Sequence, residues 1–327
     1  MMTFLERRAL AWRPAWRVRG RAHGAFRGHW TRLAALTIIV LLCLAARAEA
    51  LDASARWQGL LASSELPAMA VLDLAALRAA YPGAFLGLAR RDSGGLDLVL
   101  AHGARLAYDD GRIRTPGQVL EEPDVRAMLA QVYPLGRTTP KTANPRPGFD
   151  PGRSRVEPLF TALYGADEDA VRAACRVVSF DGHGASMNTR FGAANALARV
   201  WRRLAPRAAR PAWRQVLRPF GGGFCWREIA ATDRLSAHAF GIAVDLNPAL
   251  PYWLTCRHPE AAPARVQAFP RGIVAAFEAE GFIWGGKWAA FDLMHFEYRP
   301  ELILKARHLR GDIRLPGAPS RKAFGAG

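Results

Sequence analysis

The sequence predicts an α+β protein: a small mixed or antiparallel sheet with flanking helices, preceded by a smaller N-terminal region of helix and β-meander. Three observations predict it. Short apolar runs punctuated by glycine fall between helical periodicities without regular βα alternation. No repeat of 20 to 50 residues marks a solenoid. Half of the 327 residues are hydrophobic, enough for one large core or two ordinary domains.

The N-terminus reads as a targeting segment. Arginines at 7, 8, 13, 17, 19, 21, 27 and 32 precede the apolar run LAALTIIVLLCLAA, which ends near Ala48-Glu49-Ala50. A basic start, a short apolar centre and a small-x-small site predict a signal peptide over residues 1–50, with Leu51 as the mature start. The run is about fourteen residues against the roughly 20 a spanning helix requires, which favours cleavage over a retained anchor. Cys43 follows Leu42 rather than a small residue, which argues against lipidation. The expected location is therefore the periplasm or the exterior, with no stable membrane insertion after cleavage. Residues 1–50 carry nine basic and two acidic residues, so their removal takes the formal charge from +17 to +10. The remaining basic residues are scattered rather than gathered on one element with aromatic partners, which argues against nucleic acid.

Beyond Leu51 the chain reads as helix or irregular lead-in to Leu77. From Gly83, turns at Ser93-Gly94-Gly95 and Asp109-Asp110-Gly111 separate short apolar runs and predict a small meander. Thr115 to Tyr133 reads as a helix, with Pro123 in its first turn and Val125, Met128, Leu129 and Val132 inward. Pro134 to Arg155 is rich in Pro, Gly and basic residues: a boundary, or an ordered arm crossing the next domain. Helices at EPLFTALYG and DEDAVRAACRVV, strands near Val177–Phe180 and SMNTRF, and a helix over AANALARVWRRLA with Ala193, Leu197, Val200 and Leu204 inward follow. Another helix is expected near Gly272–Glu280. The expected division is a region of unknown role over 51–150, a catalytic domain over 151–305 and a tail over 306–327.

The chemistry concentrates in two stretches, SAHAFGIAVDLN (Ser236 to Asn247) and DLMHFEY (Asp292 to Tyr298). Alternation in GIAVDL puts Ile242, Val244 and Leu246 on one strand face and Asp245 on the other. Gly241 permits a tight turn between His238 and that strand. His295 and Glu297 share a face opposite Met294 and Phe296. Two neighbouring strands therefore suffice to gather His238, Asp245 and His295, two imidazoles and a carboxylate, the donor set of a hydrolytic zinc with one open position. Cys175, Cys225 and Cys256 form no CxxC pair, so a cysteine zinc site is unsupported; a Cys225–Cys256 disulfide is one open pairing.

SAHAFGIAVD matches the SxHxxGxAxD motif, and DLMH the carboxylate three residues before a last histidine. On these motifs the chain resembles the zinc D-alanyl-D-alanine carboxypeptidases and L-alanyl-D-glutamate peptidases, the VanY-like metallopeptidases, which share a zinc-site fold with the hedgehog domain. The resemblance spans roughly Val177 to Leu302. It implies one zinc per chain, held by His238, Asp245 and His295, a peptidoglycan stem peptide as substrate, and Asp292 as general base. Many relatives carry Glu at that place; Asp followed by His-Phe-Glu is closer to the endopeptidase branch, so the bond cleaved stays open. Glu297 is a rival base or a partner that orients a ligand. Arg227 stands where the family has an arginine that stabilises an oxyanion or holds a substrate carboxylate, and is otherwise a surface charge. Ser236 resembles a substrate-contacting serine, or caps a turn. Trp284 and Trp288, around Gly285-Gly286, form an aromatic wall over the cleft or pack in the core. The competing function is a noncatalytic, zinc-containing wall-binding protein. The oligomeric state is not legible.

Overall fold

The structure, a computed structural model, describes residues 60–139, 145–229, 232–253 and 259–325. The signal-peptide assignment, Cys43 and Cys256 lie outside these residues. These described residues belong to one compact unit.

The first helix, α1 (Ala68–Ala80), is built from Ala, Leu and Val. Apolar on nearly every side, it is buried on two of them. Leu74 and Leu77 join the main core, while Leu72 and Ala76 pack with Leu315 and Ala318 of the C-terminal segment. The meander follows as β1 (Phe85–Arg90), β2 (Leu96–Leu100) and β3 (Arg105–Asp109), antiparallel in that order. Its first turn uses Gly94 and Gly95 at positive φ, as expected. The second lies at Gly103 rather than at Asp109–Gly111, which instead ends the meander; there the Asp110 carboxylate is engaged by Arg114.

The helix expected over Thr115–Tyr133 is two. Thr115 caps α2 (Pro116–Glu121) in a reciprocal box with Gln118, and Asp124 caps α3 (Val125–Leu129) by accepting the Ala127 N–H at 2.7 Å. Pro123 therefore precedes a cap rather than opening a first turn. Val125, Met128 and Leu129 are buried, but Val132 is exposed because the helix has already ended.

The helices α4 (Glu157–Tyr164) and α5 (Glu168–Ala174) lead into a hairpin of β4 (Cys175–Phe180) and β5 (His183–Asn188). Its Asp181-Gly182 loop has both residues at positive φ, the I′ chemistry of a two-residue turn. Next come α6 (Ala193–Leu204), with Ala193, Leu197, Val200 and Leu204 all buried, and α7 (Pro211–Leu217). The last sheet joins β6 (Ala243–Asp245) and β7 (Phe282–Trp284) to the central β8 (His295–Tyr298), all antiparallel. Between β6 and β7 lie α8 (Ala262–Ala268) and α9 (Arg271–Ala279); α10 (Pro300–Arg310) follows β8. Phe277 stacks on Phe296 at 3.9 Å between ring centroids, and Phe269 lies 4.4 Å from Trp284, which seals the sheet's inner face.

The boundary expected near residue 150 separates no second core. Residues from α1, the meander and α3 share one apolar cluster with α9, β7, β8 and α10. Buried polar contacts join the same halves: Tyr81 donates to Glu301 at 2.6 Å, and Lys305 donates to the Leu129 carbonyl at 2.8 Å. Among the described residues, no helix is long and apolar enough to cross a membrane.

Candidate active site

Asp245 and His295 are directly opposed across the β6–β8 ladder. Alternation sends Ile242, Val244 and Leu246 into the core and leaves Asp245 on the opposite face, where His295 meets it. His238 arrives from the turn Ala237–Phe240, which Ser236 caps by accepting the His238 N–H at 3.3 Å. Gly241 ends that turn at φ +66°, and a Cβ there would stand 2.8 Å from Cys175 Sγ. Positive φ and close approach together require glycine.

Three donor atoms converge. His238 Nε2 lies 3.3 Å from His295 Nδ1 and 3.2 Å from Asp245 Oδ2, and His295 Nδ1 lies 3.0 Å from Asp245 Oδ1. Ligands of a tetrahedral zinc, at bonds of about 2.0–2.1 Å, stand about 3.4 Å apart, so this triangle fits the ion with little adjustment. The outer nitrogen of His238 is committed as a metal site requires. His238 Nδ1 donates to the Gly223 carbonyl at 2.7 Å, which fixes its tautomer and leaves Nε2 free to ligate. His295 Nε2 faces Glu297 Oε2 at 3.8 Å.

The electrostatics favour a cation at the centre. Burial works against the Asp245 charge, yet His238 and then His295 hold its carboxyl well below the usual carboxylate range. Glu297 is wholly buried; its carboxyl is held low by Arg155, at 3.4 Å, and by His295 and Arg299, which outweigh the burial. Asp292 is the exception: burial pushes its carboxyl up to about 6, with His295 opposing and Asp245 adding to the rise.

The site opens into a cavity of about 220 Å³ lined by Asp292, His295, Glu297, Ser236, Arg227 and Trp288, among others. Arg227 is exposed, and its guanidinium makes no hydrogen bond or ion pair among the described residues. Glu297, behind His295 and gripped by two arginines, has the geometry of an orienting partner. Trp288 lines the cavity in an edge-to-face arrangement with His295, centroids 5.5 Å apart. Trp284 corrects the aromatic-wall expectation: it is wholly buried, donates its indole N–H to the Leu293 carbonyl at 3.0 Å and stacks on Phe296. Alternation along β7 puts it on the core face.

Residues 230–298 match the family model for D-alanyl-D-alanine carboxypeptidase. That segment, about a fifth of the chain, carries Ser236, the His-Asp-His triangle, Asp292 and Glu297. It supports the family suspected from the motifs, and with it a peptidoglycan-related peptidase; such peptidases are generally metal-dependent. No curated protein and no solved structure matches the chain.

Several site residues lie outside the matched segment and went unread in the sequence. Gly223 supplies the carbonyl for His238; its signal was the run Gly221-Gly222-Gly223, since a Cβ on Gly221 would stand 2.9 Å from Asp245 Cβ. Asp150, Gly152, Arg153 and Arg155 reach the cavity on the segment read as a boundary or ordered arm. Of the cysteines, Cys175 and Cys225 are free thiols.

Proposed function

We propose that this chain is an exported zinc peptidase of the peptidoglycan stem peptide, acting either as a D-alanyl-D-alanine carboxypeptidase or as an L-alanyl-D-glutamate endopeptidase. The observation that carries the proposal is the triangle of His238 Nε2, Asp245 and His295 Nδ1, at 3.0 to 3.3 Å, opening on a cavity that also holds a carboxylate outside the triangle, Asp292.

Zinc bound there would supply Lewis acidity, lowering the pKa of water and polarising a scissile carbonyl. The chain's own residues do the rest. Asp292, in a wall of the cavity and outside the ligand set, takes the proton from the attacking water and returns it to the leaving amine. Arg227, which lines the same cavity and has no ion pair among the described residues, offers a planar fork of donors to the developing oxyanion or to a substrate carboxylate. Glu297 holds His295 with Nδ1 forward. Ser236 fixes the turn that presents His238, and Trp288 limits the water that enters beside His295.

The decisive assay incubates zinc-loaded protein, its Asp292→Ala variant and a chelated sample with muropeptides, with products identified by mass spectrometry. The expected result is cleavage by the wild type alone, the product masses naming the bond. Intact muropeptides with the zinc-loaded wild type overturn the enzyme reading in favour of a noncatalytic zinc-containing wall binder. Zinc content should fall in His238→Ala; an unchanged content there refutes the ligand set.

A further inference from the structure

Part of the cleft wall comes from outside the family-matched segment. The arm 148–155 is seated on the loop before Asp292: the Phe149 carbonyl accepts the Ala289 N–H at 2.7 Å, and Gly152 lies against the Trp288 ring. This seat delivers Arg153 to the cavity. Its Nε is buried and has no acceptor among the described residues, and Trp288 Nε1, lining the same cavity, is a second buried donor of that kind. Two acceptors of the same lining, Asp150 Oδ2 and Glu297 Oε2, are also without hydrogen-bond partners among the described residues; buried polar groups are normally satisfied, so the two donors mark a place for an acceptor.

The rest of the Arg153 guanidinium is loosely held. Nη2 stands 3.5 Å from Glu121, a half-exposed carboxylate in an ion pair of the kind that contributes little. The guanidinium lies 5.9 Å from the centroid of Trp253, a large aromatic that is 44% exposed where it lines the cavity. Of the acids lining the same cavity, Asp150, Asp292 and Glu297, the nearest in sequence is Asp150, whose Oδ1 accepts the Arg153 backbone N–H at 2.9 Å and whose Oδ2 has no hydrogen-bond partner among the described residues. A permanent cation with a planar fork, a second N–H donor and an exposed indole form a recognition set for a carboxylate carried on a peptide.

We infer that Arg153, with Trp288 Nε1 and the Trp253 ring, forms a subsite for a side carboxylate of the peptide substrate, so that a segment outside the family match sets specificity. The inference rests on the peptidase reading above for the identity of the peptide. It is distinct from the role of Arg227.

Binding is measured by calorimetry on the full mature protein with two probes: a stem pentapeptide with free carboxylates, and the same peptide with its side carboxylates as primary amides. The wild type should prefer the acid. Arg153→Ala should weaken acid binding roughly 10- to 100-fold, the range for a hydrogen bond to a charged group, and leave the amide unchanged. Arg153→Lys, which keeps the charge and loses the fork, should fall between. Equal weakening of both peptides, the mark of a merely structural arm, overturns the inference, as does no change in either. Product analysis of the same samples separates the two readings. Arg153-dependent preference without cleavage overturns the peptidase reading and leaves the subsite; cleavage without that preference does the reverse.

Discussion

Lys287 is buried without exposure, and its substitution by methionine tests whether the N-terminal half is bolted to the cleft. Its Nζ donates to Glu278 Oε1 at 2.5 Å and to the Pro134 and Gly136 carbonyls at 2.7 and 2.9 Å, above the Tyr133 ring at 4.9 Å. Burial pulls the ammonium's pKa down, and Glu278 opposes that fall. Methionine fills most of the volume but leaves Glu278 uncompensated and two carbonyls without their donor. Removing one partner of a buried pair typically costs about 3–5 kcal/mol. Glu278 still accepts from Tyr133 at 2.9 Å and from the Gly136 N–H at 3.0 Å, which places the expected loss at the low end, about 3 kcal/mol. Urea unfolding followed by circular dichroism measures it. The double variant Lys287→Met/Glu278→Gln should recover at least about 1 kcal/mol, because the stranded charge is gone. A loss under about 1 kcal/mol in the single variant, or no recovery in the double, refutes the reasoning.

Two further outcomes follow from the arm. Gly152 has no positive φ, yet a Cβ there would stand 2.1 Å from Trp288 Cη2, where contact normally lies at about 3.5–4.0 Å. Gly152→Ala should cost about 1–3 kcal/mol and lower kcat/KM by displacing Trp288, and a variant with wild-type melting and turnover would contradict this packing. Asp150 is pushed from 3.8 up to about 7, chiefly by burial. Because the folded state binds this proton more tightly, the stability it contributes is full below about pH 4 and is lost as pH rises toward 7, at most about 4 kcal/mol. Asp150→Asn should therefore gain stability over the wild type between pH 4 and pH 8, and a pH-independent difference in melting temperature would show that Asp150 does not titrate in this way.

The His-Asp-His triangle was legible because each part leaves a local mark. Alternation in GIAVDL fixed which way Asp245 faces, and HFEY did the same for His295; antiparallel pairing then places them opposite each other. The inward stripe of α6 was legible for the same reason. What was not legible depends on contacts between distant segments. Pro, Gly and Arg in 148–155 carry no periodicity, so nothing local shows that Arg155 reaches Glu297 or that Arg153 enters the cavity. Trp284 and Trp288 look alike in GFIWGGKW, and only the paired strand turns one inward and leaves the other at the cleft. Val132 lies outside because two side-chain caps divided one periodic stretch into short helices.

The arm also bears on what can be moved between proteins. A fragment cut to the family match, 230–298, would keep the His-Asp-His triangle and Asp292, but it would lose the Gly223 carbonyl behind His238, Arg155 behind Glu297 and the Gly152 seat under Trp288. The matched motif thus depends on supports that lie outside it. A graft of the motif onto another scaffold would have to carry those three supports with it.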